Sequence, residues 1–254
     1  MILDAFKLDG RVALVTGAGQ GLGQAMALGL AQAGADIAGV DRYDCRDTCD
    51  AVRALGRRYH PLICDLRQAS VADLQELVAQ TVTALGRLDI LVNNAGIIRR
   101  APAIEFSETD WDDVLHINLR ALFFLAQAAA RTMIPQGGGK IINIASMLSF
   151  QGGILVPAYT AAKSGVAGLT RALGNEWACH NINVNAIAPG YMATDNTGAL
   201  RADPDRSAAI LSRIPAERWG TPQDLQGVTV FLASDAANYL YGAILPVDGG
   251  WLSR

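Results

Sequence analysis

Short β-branched runs alternate with alanine- and leucine-rich stretches of helical spacing along the whole chain, and that alternation leaves few folds open. The strands read as residues 11–16 (RVALVT), 35–41, 60–64, 88–93, 140–145, 183–188 and 243–247. Helices read as 21–32, 44–55, 71–85, one from Ser107 through Asn118 to about Thr132, one carrying Tyr159 and Lys163, and one opened by Thr221-Pro222. Gly34 closes the first helix, and Ser107 is an N-cap with Asp110 in capping-box position. Residues 189–219 read as irregular. Strands this apolar are covered on both faces, and seven β-α steps imply a doubly wound, seven-stranded parallel sheet with helices on both sides. The α/β class therefore follows from the pattern alone. No repeat, linker or low-complexity run divides the 254 residues, which read as one domain, 1–254.

Composition narrows the functional classes. Hydrophobic residues make up 51% and charged ones 18%, which excludes a disordered chain. With 21 basic and 24 acidic residues the net charge is −3, so no overall positive field collects nucleic acid or anionic lipid. No apolar run reaches the length of a membrane span and no secretory signal is present, so a cytoplasmic protein is expected. Reduced thiols are expected for Cys45, Cys49, Cys64 and Cys179. Neither they nor His60, His116 and His180 form a metal set; no metal is expected.

The turn Thr16-Gly17-Ala18-Gly19-Gln20-Gly21-Leu22-Gly23 follows the first strand and opens the first helix. In that context its glycines let backbone amides approach a pyrophosphate at a helix N-terminus, the bland alternative being a tight turn with no ligand. Asp41 ends the second strand, twenty residues past Gly21, where a carboxylate accepts from the adenosine ribose hydroxyls and repels a 2′-phosphate. NAD is expected over NADP, although Arg42 beside it could pair with a phosphate.

Tyr159 and Lys163 lie one above the other on a helix, and Ser146 stands where the preceding strand runs out. A free phenol, with a pKa of about 10, is a poor base, and an ammonium beside it favours the phenolate. A serine hydroxyl can fix a carbonyl oxygen or alkoxide. Such a trio could move a proton to or from a secondary alcohol. Read alone, Tyr-x-x-x-Lys is more often a surface helix pair, and the rest of the chain must decide.

The glycine turn, Asp65, Asn93-Asn94-Ala95-Gly96, Asn118, Ser146, Tyr159-Thr160-Ala161-Ala162-Lys163 and Pro189-Gly190 through Thr194 together resemble the short-chain dehydrogenase/reductase family over essentially the whole chain. The resemblance implies a catalytic tetrad of Asn118, Ser146, Tyr159 and Lys163. In it Tyr159 exchanges the proton, Ser146 orients the substrate, Lys163 holds the nicotinamide ribose and lowers the tyrosine pKa, and Asn118 anchors a water in a proton relay. It implies that Gly17, Gln20, Gly21, Leu22, Gly23 and Asp41 meet the dinucleotide. Asp65 would face the adenine with Leu66 beside it, and Asn94, Ala95 and Gly96 would pack under the adenosine. Pro189, Gly190, the main chain of Met192 and Thr194 would hold the nicotinamide end. Asn93 is expected to tie strands together through its amide.

Ile97-Ile98-Arg99-Arg100, Trp111-Asp112-Asp113, SMLSFQGG (146–153), APGYMATDNT (188–197) and IPAERWG (214–220) resemble the members of that family that act on sugar acids from uronic-acid and pectin breakdown. A sugar acid needs a cation for its carboxylate, and arginine can supply two parallel hydrogen bonds. Arg99 and Arg100, of which at most one points inward, are candidates, with Gln151, Tyr191 and Arg218; Met147 and Trp219 read as packing. Residues 191–218 are the candidate substrate cover. Gluconate 5-dehydrogenases and polyol or 3-oxoacyl reductases of the same family, and an idle dinucleotide-binding scaffold, stay open. The resemblance implies a homotetramer, for which the apolar faces at 121–130 and 166–173 and the tail at 243–251 are candidates, although helices so apolar could equally be internal.

Overall fold

The computed structural model describes all of residues 1–254. Seven strands, β1 (Val12–Thr16), β2 (Asp36–Asp41), β3 (Tyr59–Ile63), β4 (Ile90–Asn93), β5 (Gly139–Ile144), β6 (Ile182–Pro189) and β7 (Ile244–Val247), form one sheet in the order β3-β2-β1-β4-β5-β6-β7. Every pairing is parallel. Successive side chains alternate faces, and β1 shows what that does: Ala13 and Val15 join one buried cluster, Val12 and Leu14 the other. Helices α1 (Gly21–Gln32), α2 (Arg46–Ala54) and α9 (Gln226–Ala233) cover the first face through Met26, Leu30, Val52 and Leu232. The second face is covered by α3 (Val71–Leu85), α5 (Leu122–Gln136) and α6 (Pro157–Trp177), through Leu74, Val78, Leu125, Met133 and Leu173. Strand order reverses between β1 and β4, and the crevice at their carboxyl ends is where such sheets bind ligands.

Four expectations need correction. The helix from Ser107 is not uniform: α4 (Glu108–Leu115) passes through a π turn, His116–Ala121, into α5, and Asn118 lies in that turn. Ser107 does cap α4, its hydroxyl accepting from the Asp110 N–H at 3.1 Å, but the Asp110 carboxylate is taken by Arg99 Nε at 3.1 Å. The stretch expected to be irregular holds two short helices, α7 (Gly198–Ala202) and α8 (Pro204–Leu211). Asp203 starts the second, accepting from the Arg206 N–H at 3.0 Å with Pro204 at the first helical position. Lastly, Thr221-Pro222 opens a 3₁₀ turn, Pro222–Leu225, which only then runs into α9. The apolar helix faces offered for subunit pairing are mostly internal, since Leu125, Ala126, Ala129, Val166 and Ala167 are buried within the chain.

Candidate active site

A cleft of about 620 Å³ runs along the carboxyl ends of the strands, within the range of ligand pockets. In its wall the β1–α1 turn is fixed from several sides. Thr16 Oγ1 accepts the N–H groups of Asn94 and Ala95, both at 3.0 Å, and Asn94 Nδ2 donates back to the Thr16 carbonyl at 2.8 Å. This tie joins the ends of β1 and β4. Gly17 has φ +67°, and a Cβ there would sit 2.8 Å from Asn94 Nδ2; one at Gly23 would collide with the Gly17 carbonyl oxygen. Asp41 Oδ2 accepts the Gly19 N–H at 3.0 Å, and Oδ1 the Arg42 N–H at 2.8 Å. The carboxylate expected to meet a ribose thus also holds the glycine turn in place.

Gly17, Gln20, Gly21, Leu22, Gly23, Asp41, Asp65, Leu66, Asn94, Ala95, Gly96 and Thr194 all line this cleft, as do Asn118, Tyr159 and Lys163. Three of the expected cofactor residues, Pro189, Gly190 and Met192, do not, and Asn93 takes the strand-tying place expected of it. Asn93 is buried in the sheet, where Nδ2 donates to Asn143 Oδ1 at 3.0 Å and Asn143 Nδ2 to Thr170 Oγ1 at 3.0 Å, tying β4, β5 and α6. Pro189 closes β6, Gly190 passes close under Asp248, and Met192 is buried beside Gly220. Residues missed in the sequence also line the cleft, among them Ile97, Ile117, Asp195 and Asn196. Ile97, Ile117 and Asp195 each adjoin a marked residue and Asn196 lies two past Thr194, and all but Ile117 fall in the stretches that carry the sugar-acid resemblance.

The proton-handling end is drier than the sequence suggests. Lys163 is buried, and Nζ donates to the Ile144 carbonyl at 2.6 Å. Burial pushes its ammonium down to about 8. Tyr159 is pushed up to about 12, again by burial, with the Ser146 hydroxyl and the Arg100 charge pulling it back. The lowering expected from Lys163 is not found: loss of water dominates, and the groups that oppose it are Ser146 and Arg100. Ser146 is buried beside the phenol, and Oγ accepts the Leu148 N–H at 3.1 Å. Asn118 Nδ2 donates to the carbonyls of Ile97 and Val114, each at 2.9 Å, which fixes its amide orientation. That leaves buried Oδ1 with no protein partner.

The substrate candidates separate. Arg99 lines the cleft but is paired with Asp110. Arg100 carries no carboxylate; it donates to the Asn196 carbonyl at 3.2 Å and its charge reaches Tyr159. Arg218 is turned away, forked onto Asp224 at 2.7 and 2.9 Å, and Asp224 also accepts the Thr221 N–H. That pairing holds the Asp224 carboxyl far below the usual carboxylate range. Gln151 accepts from the Trp251 indole, and the Tyr191 ring lies edge-on to Trp219 and Trp251.

The short chain dehydrogenase family model matches residues 11–205. This chain belongs to the short-chain dehydrogenase family. Like other members of the short-chain dehydrogenase family, it is an oxidoreductase that works with a nicotinamide dinucleotide on a secondary alcohol or its ketone. It is 62% identical over 255 residues to 2-dehydro-3-deoxy-D-gluconate 5-dehydrogenase of Escherichia coli strain K12, covering 100% of both chains. A crystal structure from Agrobacterium tumefaciens, described as a 2-deoxy-D-gluconate 3-dehydrogenase with bound NADP, superposes with a TM-score of 0.92 at 56% identity, over 99% of this chain and 100% of that one. A Beutenbergia cavernae protein, described as an NAD(P)-dependent gluconate 5-dehydrogenase with NADP bound at low occupancy, gives 0.94 at 49% identity, over 98% and 100%. The cleft of this short-chain dehydrogenase fits such a cofactor: the glycine turn is a cradle that side chains would fill, and the orphaned Asn118 Oδ1 awaits a donor. No helix is long and apolar enough to cross a membrane.

Proposed function

We propose that this chain is an NAD-dependent dehydrogenase that interconverts a secondary alcohol and a ketone on a deoxy sugar acid, the 2-dehydro-3-deoxy-D-gluconate 5-dehydrogenase reaction. The observation that carries the reading is the placement of Tyr159 and Lys163 on the wall of a dinucleotide-sized cleft, with the Ser146 hydroxyl bonded to the phenol and the Arg100 guanidinium, which pairs with no carboxylate, acting on it. The name of the Escherichia coli relative supports the substrate.

Gly17, Gly21 and Gly23 hold the pyrophosphate, Asp41 the adenosine ribose, Asp65 and Leu66 the adenine, and Lys163 and Thr194 the nicotinamide end. Bound nicotinamide supplies the hydride acceptor in one direction and the donor in the other. Tyr159 exchanges the proton. With its phenol pushed up to about 12 it donates to the ketone oxygen at neutral pH, and Ser146 fixes that oxygen. Lys163 and Asn118 pass the replacement proton from solvent, through water, back to the phenol. Arg100 takes the sugar-acid carboxylate. Residues 191–218 cover the substrate. The reading extends to a cytoplasmic homotetramer serving uronate breakdown, and a solution mass of four chains is expected by light scattering.

A second reading rests on Arg42, which lines the cleft beside Asp41 and lies 4.8 Å over the Tyr43 ring. A guanidinium there favours NADP, the cofactor bound in the two solved relatives. One experiment tests both readings: turnover of 2-keto-3-deoxygluconate, gluconate and an acetoacetyl thioester, each with both nucleotides, followed by NAD(P)H absorbance. The reading expects the first substrate with the NAD couple to be fastest. Best turnover of gluconate or the thioester moves the chain to another branch of the family, and no absorbance change on any of them makes it an idle scaffold.

A further inference from the structure

Trp251 is fully buried three residues from the carboxyl terminus, and nothing in the reaction above uses it. Three elements converge on its indole. The ring N–H donates to Gln151 Oε1 at 3.3 Å, in the loop that follows Ser146. The ring meets Tyr191 edge-on with centroids 4.9 Å apart, just beyond β6. The Arg213 guanidinium, just beyond α8, lies 4.0 Å from its centre.

Around the indole Met147, Ile210 and Ile214 form a small buried cluster, separate from the two that hold the sheet, with Leu200 and Leu211 packed against it. Little else fastens the 198–211 cover. Helix α7 buries no residue and α8 buries Ile210 alone. Helices of five and eight residues are not stable by propensity, so their order depends on that docking. The other end of the cluster is Met147, the residue next to Ser146, and Ser146 Oγ accepts from the backbone of Leu148. One side chain therefore meets Arg213 just past the cover and shares a buried cluster with its Ile210, and also meets Tyr191 on the segment leading to Thr194 and Gln151 in the loop that aims the serine hydroxyl. None of the adenosine-end residues Gly17, Asp41 or Asp65 belongs to the cluster.

We propose that Trp251 is a positioning residue: the carboxyl-terminal tail latches the 198–211 cover to the 146–151 loop, so that binding of the sugar acid depends on the tail while binding of the adenosine half of the cofactor does not. The proposal rests on the dehydrogenase reading for its substrate arm only. The test compares Trp251→Ala and Trp251→Phe with wild type by hydrogen exchange over 198–211 and over α1, by KM for 2-keto-3-deoxygluconate, and by the Kd for ADP. In W251A we expect exchange over 198–211 to accelerate at least tenfold and KM to rise at least tenfold, with ADP affinity and α1 exchange unchanged within twofold. W251F keeps the ring and loses the donor to Gln151, and KM should rise about threefold with the cover still protected. Unchanged exchange over 198–211 in W251A overturns the proposal, as does faster exchange with KM unaltered. Acceleration shared by α1, together with weaker ADP binding, shows a general structural role and overturns it too. If W251A does not fold, Trp251→Leu takes its place. If wild type turns over no sugar acid, the dehydrogenase reading has failed, and exchange with ADP binding alone decides the latch.

Discussion

Lys163 Nζ stands 5.5 Å from the centre of the Tyr159 ring and spends its short hydrogen bond on the Ile144 carbonyl instead. The two groups share one dry end of the cleft, and each resists the charged form that catalysis of alcohol oxidation needs. Burial thus keeps the phenol protonated and able to donate at neutral pH.

Removing the phenolic hydroxyl alone tests this. Tyr159→Phe should lower kcat about 10²–10⁴-fold, the usual worth of a positioned acid or base, with nucleotide Kd unchanged. Turnover near the wild-type rate, measured with saturating nucleotide, would sink the assignment.

Lys163→Met separates stability from activity. The folded pKa of about 8 lies below the unfolded value of 10.5, so the unfolded chain binds the extra proton between those pH values. The penalty of burying the ammonium is fully present below pH 8 and fades as the pH rises towards 10.5. A methionine removes it, with a gain of up to about 3 kcal/mol at pH 7, less the lost bond to Ile144. The melting temperature should rise by a few degrees at pH 7 and match wild type near pH 10.5, while turnover falls at least a hundredfold. A lower melting temperature at pH 7 refutes it.

The two neighbouring arginines should behave differently. Arg100→Met should raise KM for the sugar acid about 10- to 100-fold, the worth of a charge-assisted hydrogen bond, and leave the melting temperature alone. Arg99→Met should act through Asp110, a half-exposed pair worth no more than about 1 kcal/mol, with KM changed far less. Equal effects on KM would return the carboxylate to either residue.

Nucleotide choice is read at the end of β2. On the reading that its guanidinium meets a 2′-phosphate, Arg42→Ala should weaken NADP about tenfold and NAD less than twofold. Asp41→Ala should weaken both, because Gly19 and Arg42 lose their acceptor. Fluorescence titration with each nucleotide decides between these outcomes.

Much of this was legible because it is local. The glycine turn, Asp41 and the Tyr159/Lys163 spacing each depend on one strand end or one helix, and α1 and α3 fall where the apolar spacing puts them. What escaped depends on partners remote in sequence or on surroundings. Arg218 looked available until Asp224 met it, and Arg99 until Asp110 did. Helices α7 and α8 are too short for an apolar period, although Asp203-Pro204 is a start signal in plain view. The protonation of Tyr159 could not be read from a spacing, because it turns on how much water the fold removes.

The wide turn at His116–Ala121 has a consequence for engineering. It takes up a surplus residue in an otherwise continuous rod, so everything after it is rotated by about 100° relative to α4. Tightening that turn to ordinary pitch with no residue removed would swing Leu125, Ala129 and Met133 about 100° off the sheet, whereas deleting one residue along with the bulge would keep them on it. The phase of the whole α5 barrel stave is thus locked to the kink that carries Asn118, and neither can drift without the other.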